Sequence, residues 1–510
     1  MIQFDVDDAS ARGAHDFLSG QRTALTDLVE NARRARARDA VVWQVKVTSA
    51  NVYSLDALHR LADDEGFRIR FEIDADLGER ERAFFDDYSA HRIADNAWIR
   101  GGRKLRELAA AAIEASDAFA RALTPGRPSV ALAPIIRKVV IIGAYGGDHV
   151  GDAAILGGVL QTLHSRYGVK DATVMSFRAD HTRRLAAGLS TPVAVNVERY
   201  TAARVAQLLD EAGALVIAGG PIVDLPRVLA RHLGSACAAR SRGRPLLIER
   251  VGVGGFHRRV SMWAARQIFG MATAISVRSS DSRGHPLLGD RPVTVGRDPA
   301  FDYLATRRVL DRLSDQERQS VERLLANARD SILIGINLRP VRDDWHPLGA
   351  EHSRGMQKRF MENFAQALEQ FAAQSRRPVT YVYFPMNAIQ FGMSDLTAAY
   401  HLHRAVGGKV DFRVWEVDPQ IDGVLHLLRS LNAAIVMRLH AAIFSISQEL
   451  PVVGIDYFSG SDSKLTQLFS DLDRADAVSS MEKFESPWLV EQLRRNLRGT
   501  ASGTRGQSIP

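Results

Sequence analysis

From Arg137 onward, short apolar runs rich in Val and Ile alternate with amphipathic stretches of helical period. The first series is KVVIIGA (138–144), ATVMSF (172–177), ALVIAGG (214–220), PLLIERVG (245–252) and AISVRS (274–279). A charged helix near Asp315–Ala328 separates it from a second series. That series is ILIGINLR (332–339), VTYVYFP (379–385), FRVWEV (412–417), AAIVMRL (433–439) and PVVGIDY (451–457). Continuous apolar strands bounded by helices are what a parallel sheet covered on both faces requires. The chain is therefore α/β, with two Rossmann-like doubly wound lobes expected at 137–325 and 330–475. In such sheets ligands bind beyond the carboxyl ends of the strands, so the expected site is a cleft between facing lobes.

Residues 1–130 read as an extra N-terminal α/β region of open role. Helical stretches are expected at Thr23–Ala40, Leu55–Glu65 and Arg103–Leu123, with β-rich runs at Val41–Tyr53 and Arg68–Ile73. The Pro/Gly-containing segment Thr124–Pro134 has the character of a linker. Residues 476–510 read as a polar helix, Pro487–Leu497, followed by a disordered tail.

Composition narrows the function classes. With 46% hydrophobic and 25% charged residues over 510 positions, the chain is neither fibrous nor disordered and is long enough for two or three domains. Cys237 is the single cysteine, which excludes an intramolecular disulfide and a cysteine-based zinc site. The start MIQFDVDDAS lacks the basic and apolar regions of a signal peptide, and every apolar stretch is broken by Gly, Arg or Asp before it reaches bilayer length. The expectation is a cytoplasmic protein without a membrane-spanning segment, with peripheral membrane contact left open. A formal charge of +7 invites a nucleic-acid reading, but the arginines are scattered rather than blocked with aromatics, so no nucleic-acid partner is expected. Guanidinium groups also suit small substrates bearing phosphate or carboxylate.

Two constellations carry chemistry. GAYGGDHVGDAAILGG, Gly143–Gly158, follows the first strand of the series and contains Gly147, His149, Gly151 and Asp152. Glycines there let backbone amides approach an anion at a helix N-terminus, while the spacing matches neither the dinucleotide fingerprint nor a P-loop. The plainer alternative is that Asp152 caps the helix and the glycines make the turn. In the second, AAIVMRLHAAIFSISQELPVVGIDY (Ala433–Tyr457), Arg438 and His440 lie at a strand end just before a helix. If the chain is still extended there, both project to one side. An anion-gripping Arg beside a His that moves protons near neutral pH is a reactive pairing. Weaker candidates are Arg278 in AISVRSSDS, where Ser280 or Asp281 caps the next helix, Gly219 and Gly220, Arg339 in INLRP, and Asp395. His401 and His403 are spaced i, i+2, which suits no helical metal site, and no metal is expected.

These segments, in this order, resemble the polysaccharide pyruvyl transferase family. The resemblance rests on AYGGDHVGDAAIL, VIAGGPIVD, ISVRSSDS, Asp298–Ala300, INLRP, FPM with Asp395, and MRLHAAIFSISQELPVVGIDY, over roughly residues 137 to 470. It implies a fold similar to the B-type glycosyltransferases, phosphoenolpyruvate as donor, no cofactor, and a sugar carrying a pyruvate ketal as product. It places Arg438 and His440 at the donor and carries over Arg278. Two departures stand out: His149 where the family commonly has Asn, and Ser279–Ser280 where an acidic residue often follows the Val-Arg pair. In the scheme this suggests, Arg278 and Arg438 hold the donor's anionic groups, His440 moves protons, and Asp152 or His149 receives the acceptor's proton. The acceptor would belong to a surface polysaccharide or its lipid-linked precursor. The competing readings are a nucleotide-sugar glycosyltransferase and a non-catalytic glycan-binding or scaffold protein of the same fold.

Overall fold

A computed structural model describes residues 2–6, 41–47, 55, 68–73, 135–145, 149–341, 350–388, 394–457 and 463–501. The chain falls into two units, Arg92–Arg312 and Leu313–Pro510, the latter joined by Met1–His91. Near the start of the chain, strands β1 (Ile2–Val6), β2 (Val41–Val47) and β3 (Arg68–Ile73) form a parallel sheet in that order. The helices expected from sequence before residue 130, apart from Leu55, lie outside the described residues, as do the linker 124–134 and the end of the tail.

The unit Arg92–Arg312 is built on β4 (Lys138–Gly143), β5 (Asp171–Ser176), β6 (Ala194–Arg199), β7 (Ala214–Ala218), β8 (Pro221–Ile222), β9 (Leu246–Val253), β10 (Ala274–Val277) and β11 (Val293–Val295). They pair in the order β11-β10-β9-β7-β4-β5-β6, with β8 against β9, and every pair is parallel. The central strands β4 and β7 are buried along nearly their whole length, which is why they appear in the sequence as unbroken apolar runs. Helices Ala202–Glu211, Pro226–Ser241 and Arg259–Met271 contribute Val205, Leu229 and Ile268 to a core with Ile142, Ile217 and Ile248.

The other unit carries β12 (Ile332–Asn337), β13 (Val379–Tyr383), β14 (Asp411–Val414), β15 (Ala433–Val436), β16 (Val452–Asp456) and β17 (Val478–Ser480). Their order is β14-β13-β12-β15-β16-β17, again wholly parallel. Its core gathers Ile336, Phe364, Tyr381, Leu396 and Ile455, together with Leu55 from the N-terminal segment. Helix Asp315–Leu324 opens with a capping box, in which Ser314 and Glu317 bond each other's backbone N–H.

Both sheets thus share one plan. The first strand of the series stands in the middle, the next two build one side, and the remainder build the other. This is the doubly wound order. Its switch points fall between β4 and β7 in one unit and between β12 and β15 in the other.

Candidate functional site

At the second switch point, β12 runs out into Asn337, Leu338 and Arg339, and β15 into Met437 and Arg438. Facing them is Asp395, the first residue of helix Asp395–Val406, fully buried and held by many donors. The Arg438 Nε lies 2.7 and 2.9 Å from its two carboxylate oxygens, and the Nη2 is 2.5 Å from Oδ1. Oδ2 also accepts from Asn337 Nδ2 at 3.1 Å and from the backbone N–H groups of Met386 at 2.9 Å and Asn387 at 3.2 Å. A buried carboxylate is tolerated only with such partners. Tyr383 closes the cluster: its hydroxyl shares its one hydrogen between the carbonyls of Leu338 at 2.9 Å and Asp395 at 2.7 Å. Burial and then the Asp395 charge hold that phenol well above its ordinary pKa.

Arg339 stands beside this pair, its guanidinium carbon 5.5 Å from the centroid of the Tyr457 ring. Burial first, and then the charge of Arg438, push its pKa down to about 10. At neutral pH this leaves Arg339 cationic beside the Arg438–Asp395 pair. Helix Leu439–Ser447 starts immediately after Arg438 and has no acidic residue in its first turn, so its N-terminal pole reinforces that charge. His440 is the second residue of this helix and half-buried. The strand ends at Val436 and the helix begins at Leu439, so strand alternation does not extend to His440. Arg438, only 7% exposed, is turned onto Asp395 instead.

At the first switch point, β4 leads through Tyr145 to helix Val150–Tyr167. His149, not Asp152, caps this helix: its Nδ1 accepts from Gly151 N at 2.9 Å. With Nδ1 accepting, the neutral ring carries its hydrogen on Nε2. Asp152 lies in the first turn and, after burial, helps raise the pKa of Tyr145. Gly147 lies outside the described residues. Gly219 and Gly220 follow β7 with φ of +78° and +156°. A Cβ on Gly219 would stand 2.6 Å from the Tyr145 hydroxyl oxygen, so this glycine makes room for that ring. Tyr145, Asp152 and His149 line a cavity of about 10 Å³, the size of one water site at most.

Farther along the same edge, Arg278 follows β10 and donates from Nη1 to Asp298 Oδ2 at 3.0 Å. The other oxygen of Asp298 caps helix Pro299–Ala305 through Ala300 N, so one carboxylate fixes both a helix start and a guanidinium. Arg278 lies over Gly252, where a Cβ would come 3.1 Å from its Nε. Ser279, rather than Ser280 or Asp281, caps the short turn that follows.

The candidates thus gather in two places. Arg339, Arg438 and His440 share one switch point. His149, Gly151, Asp152, Gly219, Gly220 and Arg278 line the strand-end edge of the other sheet. Sequence reading did not single out Tyr145 or Asn337, and it named Asp395 and Asp298 without the pairings that give them their role. Among the described residues no cluster of three or more His, Cys, Asp or Glu is arranged to hold a metal, and no helix is long and apolar enough to cross a membrane.

Two doubly wound parallel sheets, one with two arginines gathered at its switch point, define an α/β protein of the Rossmann-like class. The family profile described as polysaccharide pyruvyl transferase matches residues 149–459. The chain belongs to this family and is a transferase. Among solved structures it is similar to the ADP-heptose lipopolysaccharide heptosyltransferase II of E. coli, at 14% identity and a TM-score of 0.40, covering 71% of this chain and 99% of that one. A putative UDP-N-acetylglucosamine 2-epimerase of Listeria monocytogenes gives 13% identity and a TM-score of 0.45, covering 72% and 89%. HepE of Anabaena, solved with UDP and glucose, gives 13% and 0.39, covering 72% and 98%. No match is found among curated protein sequences.

Proposed function

We propose that the chain transfers the pyruvyl group of phosphoenolpyruvate to two hydroxyls of a sugar in a surface polysaccharide or its lipid-linked precursor, forming a ketal. The observation that carries this reading is the meeting of two guanidinium groups, Arg339 and Arg438, at the β12/β15 switch point. Arg339 and Arg438 are brought together with one carboxylate, Asp395, beside an acid-free helix start. A small ligand with a phosphate and a carboxylate supplies the anions this pocket favours. Arg438, clamped by Asp395, serves as a fixed cationic wall, and Arg339 is the guanidinium we assign to direct contact with the donor.

The chemistry then balances as follows. A proton adds to the methylene carbon of the donor, making the adjacent carbon electrophilic. The first sugar hydroxyl forms a bond to that carbon and gives up its proton. The carbon–oxygen bond to phosphate breaks, and inorganic phosphate leaves with the electron pair. The second hydroxyl bonds to the same carbon, and its proton ends on the phosphate. We assign the proton transfers to His440, which stands in the first turn of the helix that follows Arg438. The scheme calls for no metal or cofactor, and a cytoplasmic setting is in keeping with the single, buried Cys237.

Phosphate release from phosphoenolpyruvate, measured with a panel of sugar acceptors, tests the reading. His440→Ala should lower kcat by on the order of 10²–10⁴-fold, and Arg339→Ala should raise the KM for the donor. Near-normal turnover in the His440 variant removes that residue from the chemistry. Saturation by a nucleotide sugar in place of phosphoenolpyruvate would overturn the donor assignment.

A further inference from the structure

The strand-end edge of the first sheet carries an apolar surface that the transfer reaction does not use. Leu225 is 54% exposed, Val260 62% and Trp263 38%. Leu225 precedes helix Pro226–Ser241, and Val260 and Trp263 lie on the first turns of helix Arg259–Met271, which packs against it. Asp224 ties the two helix starts together, accepting from the N–H groups of His257 at 2.9 Å and Arg258 at 2.8 Å. An open cavity of about 360 Å³ lies between them, lined by Leu225, Gly255 and His257 among others. Single exposed apolar residues are ordinary, but three on adjoining helix starts are a patch.

Charge says what covers it. Neither helix contains an acidic residue, while Arg227, Arg259 and Arg266 lie on them. The nearby carboxylate, Asp224, is engaged by Arg258, with Nη1 3.3 Å from Oδ1. On helix Arg259–Met271 the exposed positions Arg259, Val260, Trp263 and Arg266 recur at helical spacing, giving one face that is both apolar and cationic. A second protein would need acidic groups placed opposite each arginine. An anionic bilayer supplies negative charge everywhere along the surface, with apolar depth for Leu225, Val260 and the tryptophan ring.

We infer that this face docks the enzyme onto an anionic lipid surface. The inference deepens the proposed reaction, since it favours a lipid-linked acceptor presented at the same strand-end edge as His149 and Arg278, but vesicle binding can be read without it.

The full chain is tested by co-sedimentation with phosphatidylglycerol-containing vesicles and with phosphatidylcholine vesicles, in the absence of donor and acceptor. Binding to the anionic vesicles alone, weakening as salt rises, is expected. The double variant Arg259→Gln/Arg266→Gln should lower the partition coefficient by on the order of thirty-fold, from about 1 kcal/mol per arginine. Val260→Asp/Trp263→Ser should abolish it, while phosphate release with a water-soluble acceptor stays at the wild-type level in both variants. Failure of the wild type to sediment with anionic vesicles overturns the inference. So does unchanged partition of both variants, or light scattering that shows a dimer dissolved by Val260→Asp/Trp263→Ser. A wild type that binds vesicles but releases no phosphate would sink the reaction and leave the docking face standing.

Discussion

Asp395 and Arg438 meet across 43 residues of sequence, and their pairing fixes the guanidinium at the end of β15. The sequence exposes half of this. An arginine and a histidine flanking one leucine at a strand end are polar residues interrupting an apolar run, and that interruption is visible in one chain. The partner is not, because contact between distant segments leaves no local pattern. The same limit hid the Asp298–Arg278 bond and the seat of Tyr145 over Gly219. Removing one member of a buried pair strands the other, so Asp395→Asn should cost about 3–5 kcal/mol. Urea unfolding measures this, and the charge-free double variant Asp395→Leu/Arg438→Met should regain part of the loss. A single-variant cost under about 1 kcal/mol, the range of exposed pairs, would contradict the buried clamp described above.

At the scale of elements, the ten apolar runs read from the sequence coincide with ten strands, each losing a residue or more at one end or both, while β5, β9 and β14 gain one at the other end. The four strands of the two large sheets that reading missed have a common cause. β6, β11 and β17 lie at sheet edges with few buried positions, and β8 is two residues long, so none produces a continuous apolar run. Caps were misplaced by one to three residues for a different reason: any of several neighbouring polar side chains can accept the free N–H groups, and only backbone geometry selects His149 or Ser279. The glycine turn after β7 yields a prediction at this scale. Gly219→Ala adds a left-handed penalty of about 1–2 kcal/mol and a collision with Tyr145. Thermal unfolding should therefore show a larger loss than the backbone penalty alone, and Tyr145→Ala in the same chain should relieve only the collision.

Over the whole molecule, each unit buries one histidine among its described residues away from solvent. Burial, and for His232 then also the charge of Arg231, lowers the pKa of His232 to about 4. Burial alone does the same for His403, also to about 4. In the unfolded chain both bind a proton near pH 6.5; in the folded chain neither does until about pH 4. Between those values the unfolded state holds more protons, so stability is full above about pH 6.5 and declines as pH falls toward 4. The decline is on the order of 3 kcal/mol for each histidine. Melting temperature followed from pH 7 to pH 4 should show this acid limb, and His403→Gln should flatten it. A profile level down to pH 4.5 would mean that neither ring is held neutral.

The shared strand order also bears on how the chain assembles as it leaves the ribosome. In both halves the earliest strand of the series, β4 or β12, takes the middle, and each later strand is laid against an edge still open when it arrives. Nothing has to be threaded between two strands already paired. Shortening the chain from its end would strip the rim of the second sheet, β17 and then β16, before it reached the middle where the arginines stand.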